Sequence, residues 1–77
     1  MSDLHLYVEI INNESIDDAL KRTFSLIDKV FAEYGYSVHE IEKNEDMENE
    51  IKALLTVDVP NEKVHELMGH DLSYQLY

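Results

Sequence analysis

The chain has no cysteine, so neither disulfides nor thiolate-bound metals can supplement its core. Its two glycines, Gly35 and Gly69, stand far apart, which leaves no glycine-rich loop to cradle a phosphate. No apolar run approaches the roughly 20 residues of a membrane span, and residues 1–5 have neither the basic start nor the apolar stretch of a secretion signal. A cytoplasmic protein with no membrane partner is the expectation. Positive charge is scarce as well: 6 Lys+Arg face 17 Asp+Glu, a formal net charge of -11. That balance repels nucleic acid and anionic lipid and attracts basic partners, so direct nucleic-acid binding is not expected.

What is present suffices for one domain. A chain of 77 residues, 44% of them hydrophobic, has room for a single core and an ordinary apolar content to fill it. Leu4, Leu6, Val8 and Ile10 alternate with His5, Tyr7 and Glu9, the period of a half-buried strand over residues 4–10, which Asn12 and Asn13 end. Ser15 can cap the amides of a helix whose first turn carries Asp17 and Asp18 at the positive end of its dipole. Ile16, Leu20, Phe24, Ile27, Phe31 and Tyr34 then form one stripe, widened by Ala19 and Val30, which predicts a helix over residues 15–34 closed by a left-handed Gly35.

Residues 36–43 break strict alternation between Val38 and Ile41, which fits an edge strand with a bulge. Residues 44–49 are a polar turn. Ile51, Ala53, Leu55, Val57 and Val59 then make the most apolar strand, read as central. Pro60 suits the first turn of a short helix carrying Val64, Leu67 and Met68 and ending at Gly69. Residues 71–77 alternate as a last strand, with a continued helix as the other option. The order is β-α-β-β-α-β, an α+β domain of ferredoxin-like type: a small sheet with the first and third strands central and two helices packed on one face. Many unrelated functions share that fold, so it assigns none.

Catalytic patterns are wanting. His65 and His70 are five apart, which sets them roughly 140° from each other on a helix, whereas a zinc-protease pair needs a spacing of four. Glu66 and His70 have the spacing of a surface pair. His5 and His39 fall on different strands, and the sequence does not bring them together. None of Ser2, Ser15, Ser25, Ser37 and Ser73 has a recognisable base beside it. No catalytic residue, metal or cofactor is expected, and the chain is read as a non-enzyme.

Two surfaces stand out. Residues 40–50 carry Glu40, Glu42, Glu45, Asp46, Glu48 and Glu50 against Lys43 alone, a net -5 of the total -11. This run either blocks a sheet edge from wrong pairing or docks on a basic groove. The sheet face away from the helices should display His5, Tyr7, Glu9, Lys52, Leu54, Thr56, Asp58, Ser73, Gln75 and Tyr77. Tyr7, Leu54 and Tyr77 there suit a protein partner or a second copy of the chain. RNA-recognition domains of this topology stack bases on the same face, but with basic residues around the aromatics.

In size, charge and lack of catalytic motifs the chain is similar to small phage-encoded anti-restriction and anti-CRISPR proteins, and to immunity proteins and antitoxins that mask a basic toxin. The similarity implies an inhibitor whose partner is a basic protein, such as a nucleic-acid-binding enzyme or complex. The alternative is a dimerising regulatory module that binds a small ligand, in the manner of ACT-type domains.

Overall fold

Strand β1, Ser2–Glu9, starts two residues before the alternation becomes visible, because Ser2 is drawn inside by its hydroxyl donating to the Val59 carbonyl at 2.7 Å. The computed structural model describes residues 1–69 and 72–77 of the chain. Leu4, Leu6 and Val8 are fully buried, opposite Leu55, Ala53 and Ile51 of β3, Glu50–Val57. A strand's side chains alternate between its two faces, so this register puts every buried side chain of both strands on the same side of the sheet. Both strands are shorter at their C-terminal ends than the expected 4–10 and 51–59. Ile10 instead donates its amide to Asn49, and Val59 is buried beyond the strand end.

Asn12 and Asn13 both adopt positive φ (52° and 55°), and the Glu14 amide closes the turn on the Ile11 carbonyl at 2.9 Å. Asparagine tolerates that left-handed geometry better than most side chains. Arg22 then clamps the connection, donating to the Glu9 carbonyl at 2.7 Å and to Glu14 Oε1 at 2.6 Å. The charged hydrogen bond from Arg22, with the Ile11 amide, holds the Glu14 carboxyl below the usual carboxylate range.

Helix α1, Ile16–Val30, begins where the sequence places it, with Ser15 Oγ accepting the Asp18 amide at 3.1 Å. It ends a turn earlier than the expected residue 34. Phe31 leaves helical geometry (φ -107°, ψ 33°) and buries its ring, and the Tyr34 amide closes the following turn on the Phe31 carbonyl. Gly35 therefore follows a turn, and its left-handed capping role is not realised. Among the described residues positive φ is confined to Asn12, Asn13 and Gly69. The Gly35 carbonyl accepts the Asp58 amide at 2.8 Å and ties the sheet together there.

The buried line of α1 runs through Ala19, Thr23 and Ile27, while Leu20 and Phe24 are half-buried and Ile16 is 49% exposed. The stripe is thus rotated about one residue from the expected one. Small side chains at Ala19 and Thr23 let the helix approach the sheet closely, and the bulkier Leu20 and Phe24 flank the contact.

Strand β2, Tyr36–Lys43, lies at the edge of the sheet, and its register shifts between Val38 (opposite Leu55) and Glu40 (opposite Leu54), so His39 is the bulged residue. Helix α2, Asn61–Met68, has Pro60 as N-cap in extended conformation rather than inside the first turn. Its carbonyl accepts the Lys63 and Val64 amides. Gly69 ends α2 at φ 59°. Strand β4, Ser73–Leu76, pairs antiparallel with β1 and settles those residues as strand. The sheet order is β2-β3-β1-β4, antiparallel throughout, with β1 and β3 central. Ala19, Ile27, Phe31, Val64 and Met68 join the inward residues of the sheet in one core, the arrangement of a ferredoxin-like α+β domain.

Candidate functional site

Because the helices take one face, the other is left to solvent, and the registers give its layout. Glu42, Lys52, Tyr7 and Ser73 form one row across the four strands, and Glu40, Leu54, His5 and Gln75 form the next. In a third row Thr56 lies opposite Asp3, and the Tyr77 amide donates to the Asp3 carbonyl at 3.1 Å. Residues expected here from β1, β3 and β4 are therefore in place. Asp58 is the exception, lying past the end of β3.

The bulge brings β2 onto this face. One extra residue reverses the parity of the rest of the strand, so Glu40 and Glu42 join the open side and Ile41 turns to the helix side, where Val38 already lies before the bulge. There Val38 and Ile41 stay 41% and 45% exposed, because the edge strand projects past the helices' cover. Glu42 pairs with Lys52 at 3.4 Å. Of the other acidic residues singled out, Glu45, Asp46 and Glu48 are exposed in the connection between β2 and β3. Glu50 is engaged locally, its carboxylate accepting Asn44 Nδ2 at 2.7 Å and its carbonyl the Asn44 amide at 2.9 Å. Asn44 Oδ1 also accepts the Asp46 amide, so this one asparagine organises the turn. The structure thus gathers Glu40, Glu42, Glu50, Tyr7 and Tyr77 on one face, with Glu50 opposite Glu9 and held by Asn44 in the hairpin, and sets Glu45, Asp46 and Glu48 at its end.

Hydrogen bonds lace the open face. Tyr7 donates to Gln75 Oε1 at 3.1 Å. The Tyr77 hydroxyl rests against the His5 ring nitrogens, 2.8 Å from Nδ1, with ring centroids 4.6 Å apart and edge to face. Thr56 Oγ1 donates to Asp3 Oδ1 at 2.6 Å and meets His39 Nε2 at 2.7 Å. Beside these groups lies an open depression of about 360 Å³, lined by Asp3, His39, Leu54, Thr56 and Tyr77. Asp3 and His39 were not among the residues expected on this face. Reading β1 from residue 4 leaves Asp3 out, and the side to which His39 points depends on a bulge position that the sequence brackets but does not fix.

The remaining histidine of the described residues is occupied elsewhere, His65 Nδ1 lying 2.6 Å from the Tyr74 hydroxyl. Glu66 pairs with Lys63 at 3.4 Å. The expected pairing of Glu66 with His70, and the spacing of His65 and His70, lie outside the described residues. Among those residues no group of three or more His, Asp or Glu is placed to hold a metal ion. Nor is any helix among them long and apolar enough to cross a membrane. Comparison with family models, with curated proteins and with solved structures finds no match.

Proposed function

We propose that this chain is a non-enzymatic, acidic, cytoplasmic inhibitor that occupies the basic, nucleic-acid-binding surface of another protein. The observation that carries this reading is the uncovered sheet face. Glu40, Glu42 and Asp3 flank His5, Tyr7, Leu54 and Tyr77 on it, and the Glu45, Asp46 and Glu48 side chains extend its negative charge at one end. Interface centres favour tyrosine within a polar rim, and a negative rim selects a positive counter-surface. Carboxylates spread along such a surface present to a basic groove the same sign of charge as a phosphate backbone.

Competition tests the reading. The immobilised chain is used to capture its partner, and DNA or RNA is then titrated against the complex. Nucleic acid should release the partner, and the partner alone should bind nucleic acid with the steep salt dependence of phosphate contacts. A partner that stays bound in saturating nucleic acid, or that has no nucleic-acid affinity of its own, would refute it.

A further inference from the structure

The hydrogen-bond chain across the open face has a direction. Thr56 has a single hydroxyl hydrogen and gives it to Asp3 Oδ1, so in the contact with His39 the imidazole Nε2–H must be the donor. The Asp3 end of the chain is then an acceptor, through the second oxygen of its carboxylate. Adjoining it is the depression of about 360 Å³, to which Leu54 contributes apolar surface and Tyr77 an aromatic ring. Tyr77 is 68% exposed, but its hydroxyl is held by His5, which fixes the ring across β1.

A carboxylate oxygen beside an aromatic ring and a leucine matches a guanidinium better than other common groups. Its planar fork offers several donors, its face stacks on aromatic rings, and its methylene stem lies along apolar surface. An ammonium group is a compact, strongly hydrated charge that gains less from the ring. A phosphate or carboxylate would meet the negative charge of Asp3.

We infer that this depression receives an arginine side chain of the partner, with Asp3 as its ion-pair acceptor and Tyr77 as its stacking surface. The inference rests on the proposed basic partner and adds a preference for arginine over lysine at one place on the face.

Nine-residue peptides of arginine and of lysine, equal in charge, serve as probes against the isotope-labelled full chain at one ionic strength. The arginine peptide should bind about tenfold tighter, as one stacked and hydrogen-bonded guanidinium warrants. Amide signals of Asp3, Leu54, Thr56 and Tyr77 should move with arginine and much less with lysine. Asp3→Asn keeps an oxygen for Thr56 and Tyr77→Leu alters an exposed position, so both should melt as cooperatively as the parent while reducing the preference to about twofold or less. Equal affinity for the two peptides, with shifts confined to residues 40–50, would overturn the arginine site and leave the basic-partner reading standing. A preference that survives both substitutions would also overturn it. Failure of both peptides to bind at low salt would remove the basic-partner reading and the arginine site together.

Discussion

Replacing Glu42, Glu45 and Glu48 by Gln and Asp46 by Asn together moves the formal charge from -11 to -7 and should slow capture of the partner without harming the fold. The fold is spared for local reasons. Glu45 and Glu48 make no hydrogen bond or ion pair among the described residues, and Asp46 uses only its backbone amide, toward Asn44. Glu42 loses its pair with Lys52, in which its side chain is half exposed; such pairs contribute about 0–1 kcal/mol. Fewer like charges offset part of that loss. For binding, two unit charges about 8 Å apart in water interact by about 0.5 kcal/mol, and one Debye length of screening at physiological salt leaves about 0.2 kcal/mol. Four carboxylates, each acting on one or two partner cations, then supply about 0.8–1.5 kcal/mol, or roughly fourfold to tenfold in association rate. Surface plasmon resonance with the captured partner reads this directly. At about 0.5 M salt, where the Debye length is near 4 Å, the difference between parent and variant should fall by more than half in free energy. A variant with unchanged association rate and unchanged salt dependence would show that the run does not steer binding, and the face around Tyr7 and Tyr77 would have to carry it alone.

Two perturbed groups should make stability depend on pH, at opposite ends of the range. Glu14 sits below the ordinary carboxylate range through Arg22 and the Ile11 amide, so its contribution to stability is present above the unfolded-state value, about 4.3, and is lost as pH falls through the lower folded-state value. Glu14→Gln should be less stable at neutral pH and decline less steeply in acid, by circular-dichroism melts; curves parallel to the parent would refute this. Tyr36 is pushed up to about 12 by donating to Asp28 and, second, by partial burial. Its contribution is complete below the ordinary tyrosine value of about 10 and lost as pH rises from there through about 12. Tyr36→Phe should flatten that alkaline limb, by less than about 1 kcal/mol because the pair is partly solvated; an unchanged limb would refute the assignment.

The elements were legible where local signals agreed with one another. Ser15 followed by two carboxylates marked the start of α1, and unbroken alternation from Ile51 to Val57 marked a central strand, because both signals are set within a few residues. The features that stayed hidden depended on the rest of the chain. Nothing local separates Phe31 as a helical residue from Phe31 as the residue that leaves the helix, since its ring reaches the core either way. The buried line through Ala19 and Thr23 is set by how closely the helix meets the sheet, and a stripe of large side chains does not reveal that distance. On the open face, β1, β3 and β4 were readable from parity alone, whereas Glu40, Glu42 and His39 required the position of the bulge. The sequence places that bulge between Val38 and Ile41 but does not say which residue is extra.

That same bulge separates the two meanings of the acidic run. Edge protection acts where unpaired backbone groups invite another strand, so it bears on Glu40 and Glu42, which lie on β2. Yet β2 is already a poor template, because the extra residue at His39 breaks its ladder with β3 and bulges by themselves discourage edge pairing. Glu45, Asp46 and Glu48 lie past the strand end, in a connection with no ladder to defend, and Glu50 is on the central strand, occupied by Asn44. Blocking an edge therefore accounts for at most two of the six carboxylates. The other accounts, solubility and docking, differ in their dependence on position. Charge that serves solubility can sit anywhere on the surface, so moving the three loop carboxylates to exposed sites on α2 should leave a solubility function intact. A docking function would be lost by the same move, because the open face would keep its aromatic groups but lose the negative end that aligns them with a basic groove. Equal solubility with weakened capture of the partner is the expected result for the transplanted variant, and equal capture would return the loop to the role of a solubilising surface.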